Sequence, residues 1–268
     1  MLVQFTVENF LSFKGKTVFS LRATKDDSHP IHLVSNVLGN NGKVLRAAGI
    51  YGANASGKSN LIKAMKFARD LIIEGTKGDE DIPVTPFKLG TTLNEPSRFQ
   101  FNFFYKGILY SYGFKVNSTQ ILEEFLYATV NGKEVKYFER VTSEELKTEV
   151  DFGTILTKGN TEKRNFLKYK EADTRPNQLF LTTVFEGNIR DRVEEFVPVV
   201  AWFQSVLTII EAEKKEITLE KITHTREALK EYLGKILRAS DTGITEVSTT
   251  EILLDWERDL PWGSSGTA

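Results

Sequence analysis

The chain has 268 residues, with 35 Lys+Arg against 36 Asp+Glu and no cysteine. That length can bury a substantial core, and the lack of cysteine excludes a disulfide scaffold, a thiol nucleophile and any Cys-ligated zinc site. A formal charge of −1 supplies no global attraction to nucleic acid or anionic lipid. No apolar run approaches the roughly 20 residues that cross a bilayer, and the alternating start, MLVQFTVENF, is not a signal-peptide core. A cytoplasmic α/β or α+β protein with no membrane association is expected.

In chain order, Val3, Phe5 and Val7 alternate with polar residues, the period of a half-buried strand, and residues 17–21 alternate again. Residues 44–51 (VLRAAGIY) are apolar on both faces and predict a buried strand of a mainly parallel sheet. Leu61, Ile62, Met65, Ala68 and Ile72 then recur every three or four residues, predicting an amphipathic helix that stops before Gly75. From 97 to 141 the period returns to two. Phe99, Phe101, Phe103, Tyr110, Tyr112 and Phe114 mark an antiparallel meander of about four strands, with hairpin turns at Lys106-Gly107 and Asn131-Gly132. An aromatic stripe at strand spacing is core, or else a base-stacking platform. Residues 189–213 and 217–239 read as helices, the first kinked at Pro198.

Residues 52–59, GANASGKS, satisfy G-x-x-x-x-G-K-[ST]. Gly52 and Gly57 allow the tight fold that turns consecutive N–H groups of Ala53, Asn54, Ala55 and Ser56 toward phosphate oxygens. The helix that follows adds its positive dipole end. Lys58 places an ammonium at the β- and γ-phosphates, and Ser59 offers its hydroxyl to Mg²⁺. The pattern predicts an ATP–Mg²⁺ site.

The longer string, YGANASGKSN, ending at Asn60, resembles the G-x-N-x-x-G-K-[ST]-N form of chromosome-maintenance and RecF-type ATPases, which have ABC-type heads. Residues 5–13, FTVENFLSF, resemble that group's opening strand and its N-F-R-S-F turn. There the turn folds over the nucleotide, with an arginine and a serine near the phosphates. Asn9, Phe10, Ser12 and Phe13 match; Leu11 replaces the arginine and inherits no phosphate contact. The chain is more similar to prokaryotic ABC-like ATPases of the OLD, abortive-infection and retron-associated kind. Glu123-Glu124-Phe125-Leu126 matches their E-E-x-L, Asn177-Gln178-Leu179-Phe180-Leu181 their N-x-L-F-L, and Asp241-Thr242-Gly243-Ile244 their D-T-G-I.

The resemblance implies an α/β P-loop NTPase, the N-terminal portion of an ABC-ATPase head. Strands, phosphate loop and first helix would occupy 1–75, an antiparallel β-subdomain 85–150, a helical segment 175–247 and a tail 248–268. It implies that residues 52–60 contact ATP and Ser59 the Mg²⁺. It also implies a homodimer or a second polypeptide completing the head, a nuclease or toxin effector, and a role in anti-phage defence or a DNA transaction such as repair.

Hydrolysis by such a head needs an apolar strand running into Asp-Glu, and that is incomplete here. Ile252-Leu253-Leu254-Asp255 imitates it, but Trp256 separates Asp255 from Glu257. Leu260-Pro261 and Ser264-Ser265-Gly266-Thr267 resemble the family's L-P … E-S-S-G-T signature, and read equally well as a flexible Gly/Ser-rich tail. No catalytic residue is assigned, and the chain alone is expected not to turn ATP over. Two other functions stay open: a nucleotide-binding scaffold without catalysis, and a small-molecule kinase, which the long meander disfavours. Thr76-Lys77-Gly78-Asp79 imitates a guanine-reading motif in the wrong place. Gln178 is either a Mg²⁺-sensing glutamine or a polar residue opening a strand. Residues 158–170, with five positive charges and one negative, read as a solvated basic face or a nucleic-acid contact. His29, His32 and His224 lack metal-ligand spacing.

Overall fold

The computed structural model describes residues 1–24, 28–35, 37, 42–89, 92–130, 132–186 and 192–210, together with 231, 232, 235 and 238. The chain divides into two units, 1–209 and 210–268. In the first, the strands are β1 (Leu2–Glu8), β2 (Thr17–Ser20), β3 (Leu33–Val34), β4 (Val44–Leu45), β5 (Ser97–Tyr105), β6 (Ile108–Val116), β7 (Ile121–Val130), β8 (Lys133–Thr142) and β9 (Thr148–Phe152). Seven of them form one sheet in the order β2-β1-β5-β6-β7-β8-β9, and β3 pairs with β4 separately. Every pairing between these strands is antiparallel.

The predicted meander is β5 to β8. Lys106 and Gly107 both take positive φ (49° and 82°), the geometry of a two-residue hairpin whose twist matches its strands. Phe99, Phe101, Phe103, Tyr112 and Phe114 are buried, so the aromatic stripe is core and offers no stacking platform. Against it packs α1 (Lys58–Glu74) through Leu61, Ala64, Met65, Ala68, Leu71 and Ile72. The expected helix is present and ends at Gly75, φ 69°. Its stripe differs in one position: Ile62 faces outward.

On the other sheet face, the β3–β4 hairpin forms a small second core of Val3, Val37 and Val44 with Phe104 and Leu109. A bulge between Leu2 and Gln4 puts Val3 there. The extra residue turns one side chain of an alternating strand to the opposite face.

Two expectations are corrected. Residues 44–51 do not form a buried strand. Only Val44 and Leu45 are paired; Ala47–Ile50 are exposed, and Tyr51 is 94% exposed. Apolar composition states what a segment could bury, but a partner strand must supply the burial, and none lies beside residues 47–51 among the described residues. The helix expected over 189–213 is also broken up. A 3-10 turn (Glu194–Phe196) precedes α5 (Val197–Ala201) and a π-turn (Trp202–Val206), and the chain is extended from Leu207. Pro198 starts α5 rather than kinking it, because the first helical turn does not need its N–H. Residues 189–191 and 211–213 lie outside the described residues; of 217–239 the four described positions are helical.

Two helices were not anticipated, α2 (Thr154–Thr157) and α3 (Thr161–Asp173), whereas α4 (Phe180–Phe185) falls within the segment 175–247 expected to be helical. The basic stretch is α3. Lys163 pairs with Glu195 (2.6 Å), Lys168 with Glu171 (2.7 Å) and Lys170 with Asp173 (3.6 Å). Its charge is thus largely matched by the protein's own carboxylates.

Candidate nucleotide-binding site

Residues 52–57 form a solvent-open loop between the exposed segment 46–51 and α1. Ala55 and Gly57 are left-handed, φ 61° and 95°. Gly57 is the N-cap of α1; it supplies no side chain to cap the helix, and the first turn holds no acidic residue. A 17-residue helix therefore presents its amide end and positive dipole to the loop without an internal anion to neutralise them.

Lys58 Nζ donates to the carbonyls of Gly52 (2.8 Å) and Ala53 (2.7 Å) and to Ser56 Oγ (3.4 Å). The ammonium thus lies across the loop, held by acceptors that a phosphate oxygen can replace. Ser59, one position on, is exposed. An uncapped helix start, a cation lying across the loop and a hydroxyl one residue on give this end of α1 the chemistry to hold an anion.

The Asn9–Phe13 turn stands beside this loop. Asn60 Nδ2 donates to Ser12 Oγ (2.9 Å), and a Cβ at Gly57 would lie 2.9 Å from that same oxygen. Glycine at 57 is therefore required twice, for its φ and for the approach of Ser12. The Leu11 side chain packs on the core, consistent with an apolar residue where the resembled family has arginine.

The E-E-x-L and N-x-L-F-L segments come together as one structural device. Glu124 accepts from the amides of Phe180 (2.6 Å) and Leu181 (3.0 Å), capping α4, and from Tyr112 Oη (2.9 Å). Arg140 lies 3.4 Å from the same carboxylate and donates to the carbonyls of Gln178 (2.7 Å), Arg175 and Pro176 (both 3.3 Å). Both charged side chains are fully buried. Burial pushes the Glu124 carboxyl up, although Arg140 and the two amides pull it down, and burial likewise lowers the Arg140 guanidinium.

The other candidates fall elsewhere. Gln178 precedes a helix rather than opening a strand; its Nε2 donates to Glu186 (2.9 Å), and it lies against Gly75. That is the far end of α1, about 25 Å from the phosphate loop at 1.5 Å per residue, so it does not sense a metal there. Thr76–Asp79 sit at the same end, where Asn177 Nδ2 holds the Lys77 and Glu80 carbonyls (2.9 and 3.1 Å). No group of three metal-ligating side chains occurs among the described residues, and none of their helices is long and apolar enough to cross a membrane. His224, Asp241–Ile244, Ile252–Glu257 and the 260–267 signature-like tail lie outside the described residues.

No curated protein matches the chain significantly. A family model does: the one described as "AAA domain, putative AbiEii toxin, Type IV TA system" matches residues 47–196, more than half of the chain and all of the phosphate loop. With a phosphate loop at the head of α1, packed on a largely antiparallel sheet, the chain belongs to this AAA-domain family of P-loop ATPases of the abortive-infection kind.

Proposed function

We propose that residues 52–60 bind ATP–Mg²⁺ and that the chain serves as the N-terminal part of an ABC-type ATPase head in a prokaryotic toxin–antitoxin or anti-phage defence system. The observation that carries this reading is the Lys58 ammonium, lying across an uncapped helix N-terminus and held by exposed carbonyls. Lys58 would exchange those carbonyls for β/γ-phosphate oxygens, the loop amides would hold the same phosphates, and Ser59 would ligate the metal. A magnesium ion bound there would neutralise charge on the β- and γ-phosphates.

Among the described residues no apolar strand runs into an Asp-Glu pair, so a water-activating carboxylate is expected from outside them. The exposed apolar segment 46–51 supports a further strand beside it, from elsewhere in the head, a second polypeptide or a second copy. A nucleotide at that join would favour assembly, because it touches both sides.

Calorimetry with ATP–Mg²⁺ on wild type and Lys58→Ala tests the site. A charge-assisted hydrogen bond is worth about 1.5–3 kcal/mol, so the substitution is expected to weaken binding about ten- to a hundredfold. Equal affinity for the two proteins would reject the site.

A further inference from the structure

The Asn9–Phe13 turn contains two non-glycine residues in left-handed backbone, Asn9 and Leu11, each at φ 50°. Asparagine tolerates that region; leucine does so at a cost. Such strain persists only where the surroundings over-determine it. Here they do so from two sides.

On one side the turn is fastened to the connection between α1 and β5. Asn9 Nδ2 donates to the Glu95 carbonyl (2.6 Å), and Phe87 N donates to Asn9 Oδ1 (3.2 Å). Ser97 Oγ donates to the Asn9 carbonyl, and Leu11 N to the Thr85 carbonyl (2.9 Å). On the other side Ser12, next to the strained Leu11, is fastened to the start of α1 by Asn60 (2.9 Å) and overhangs Gly57.

We propose that Asn60 is a positioning residue and that the 9–13 turn is a latch, through which occupancy of the phosphate loop is passed to Thr85, Phe87 and Glu95. The proposal rests on the reading of residues 52–60 as an ATP site. The Asn60 amide occupies one lone pair of the Ser12 hydroxyl, which turns the hydroxyl's own hydrogen away from Asn60 and leaves it free to meet an anion at the start of α1. A phosphate there accepts that hydrogen and fixes Ser12. Leu11 and Asn9 cannot relax independently, because their backbone and side-chain bonds run to Thr85, Phe87 and Glu95. Nucleotide binding therefore tightens contacts on residues that touch neither the loop nor the ligand.

The test uses the full chain, ATP–Mg²⁺, calorimetry and amide hydrogen exchange on wild type, Asn60→Ala, Ser12→Ala, the double variant and Ser12→Thr. In wild type, ATP is expected to raise protection of the Leu11 and Phe87 amides. Asn60→Ala and Ser12→Ala should each weaken ATP binding about five- to tenfold and abolish that added protection, with ligand-free exchange in β1 and β5 unchanged. The double variant should lose no more than the more damaging single, since both remove one contact. Ser12→Thr, which keeps the hydroxyl, should restore the protection. Wild type that binds ATP with protection confined to residues 52–61, or with additive losses in the double variant, overturns the latch alone. Wild type that binds no ATP overturns the site and the latch together.

Discussion

Glu123 and Glu124 are neighbours in one motif, yet replacing them should have very different consequences. Glu124 is fully buried and serves four donors: the Phe180 and Leu181 amides, Tyr112 Oη and Arg140 Nη1. Glu124→Ala leaves them without that acceptor. A buried donor left unsatisfied costs about 1–3 kcal/mol, and stranding one member of a buried ion pair about 3–5 kcal/mol. Arg140 keeps its bonds to the Gln178, Arg175 and Pro176 carbonyls, and water can enter the vacated space, so the terms do not add fully. A loss of about 3–5 kcal/mol is expected. Glu123 is about half exposed and pairs at the surface with Arg98 (3.5 Å) and Lys115 (3.3 Å); Glu123→Ala should cost below about 1 kcal/mol. Urea unfolding followed by tryptophan fluorescence measures both. A Glu124→Ala variant no less stable than Glu123→Ala would refute the capping role. The same residue sets a pH dependence. Its native carboxyl sits above the ordinary value of 4.5 because burial outweighs Arg140 and the amides, so the native state holds the proton longer than the unfolded chain. Its contribution is full below that ordinary value and is lost as pH rises through the raised one. The advantage of wild type over Glu124→Gln should therefore shrink upward from about pH 4; an advantage that grows would show the ion pair outweighing burial.

Two further outcomes follow from the geometry. Gly153 lies at φ −63°, where any residue is comfortable, but a Cβ there would stand 1.7 Å from the Lys136 carbonyl oxygen. Relief requires moving backbone at the end of β9 and losing the Gly153 N–Tyr137 O bond (2.8 Å). Gly153→Ala should cost about 3 kcal/mol or more in urea unfolding, while Gly15→Ala, with nothing within 4 Å, should be near neutral; equal effects would contradict the packing. If segment 46–51 pairs with a further strand at the nucleotide, ATP–Mg²⁺ should raise the mass measured by light scattering, and Lys58→Ala should blunt the rise. A stable monomer that binds no apolar dye, with and without ATP, would mean the segment is covered within the chain.

The features legible in the sequence share one property: their physics is local. Gly57 needs a left-handed φ, Lys58 and Ser59 follow it by spacing, α1 shows its 3.6 period through Leu61, Met65, Ala68 and Ile72, and β5–β8 show theirs through alternating aromatics and a Lys106-Gly107 turn. The phosphate loop and the meander could be read for that reason. The Asn9–Phe13 turn could be read as a likeness, but not the Asn60–Ser12 bond, which spans 48 residues and depends on how β1 and α1 pack.

The buried ion pair shows what only the tertiary structure decided. Extending the register from Val130↔Lys133 through Tyr127↔Lys136 without a shift would set Glu124 opposite Glu139, two like charges. The bulge between Leu126 and Tyr127 moves the register by one, and Glu124 faces Arg140 instead. No residue in that stretch announces a bulge. It is selected by the sum of the pairings it permits: an arginine beside a glutamate, both buried, with the start of α4 close enough to use the carboxylate as its cap. The lead-in segment 46–51 makes the converse point. Its apolar residues state a demand for burial, and composition cannot say which strand meets it, because that neighbour is a property of the assembled sheet and not of the segment.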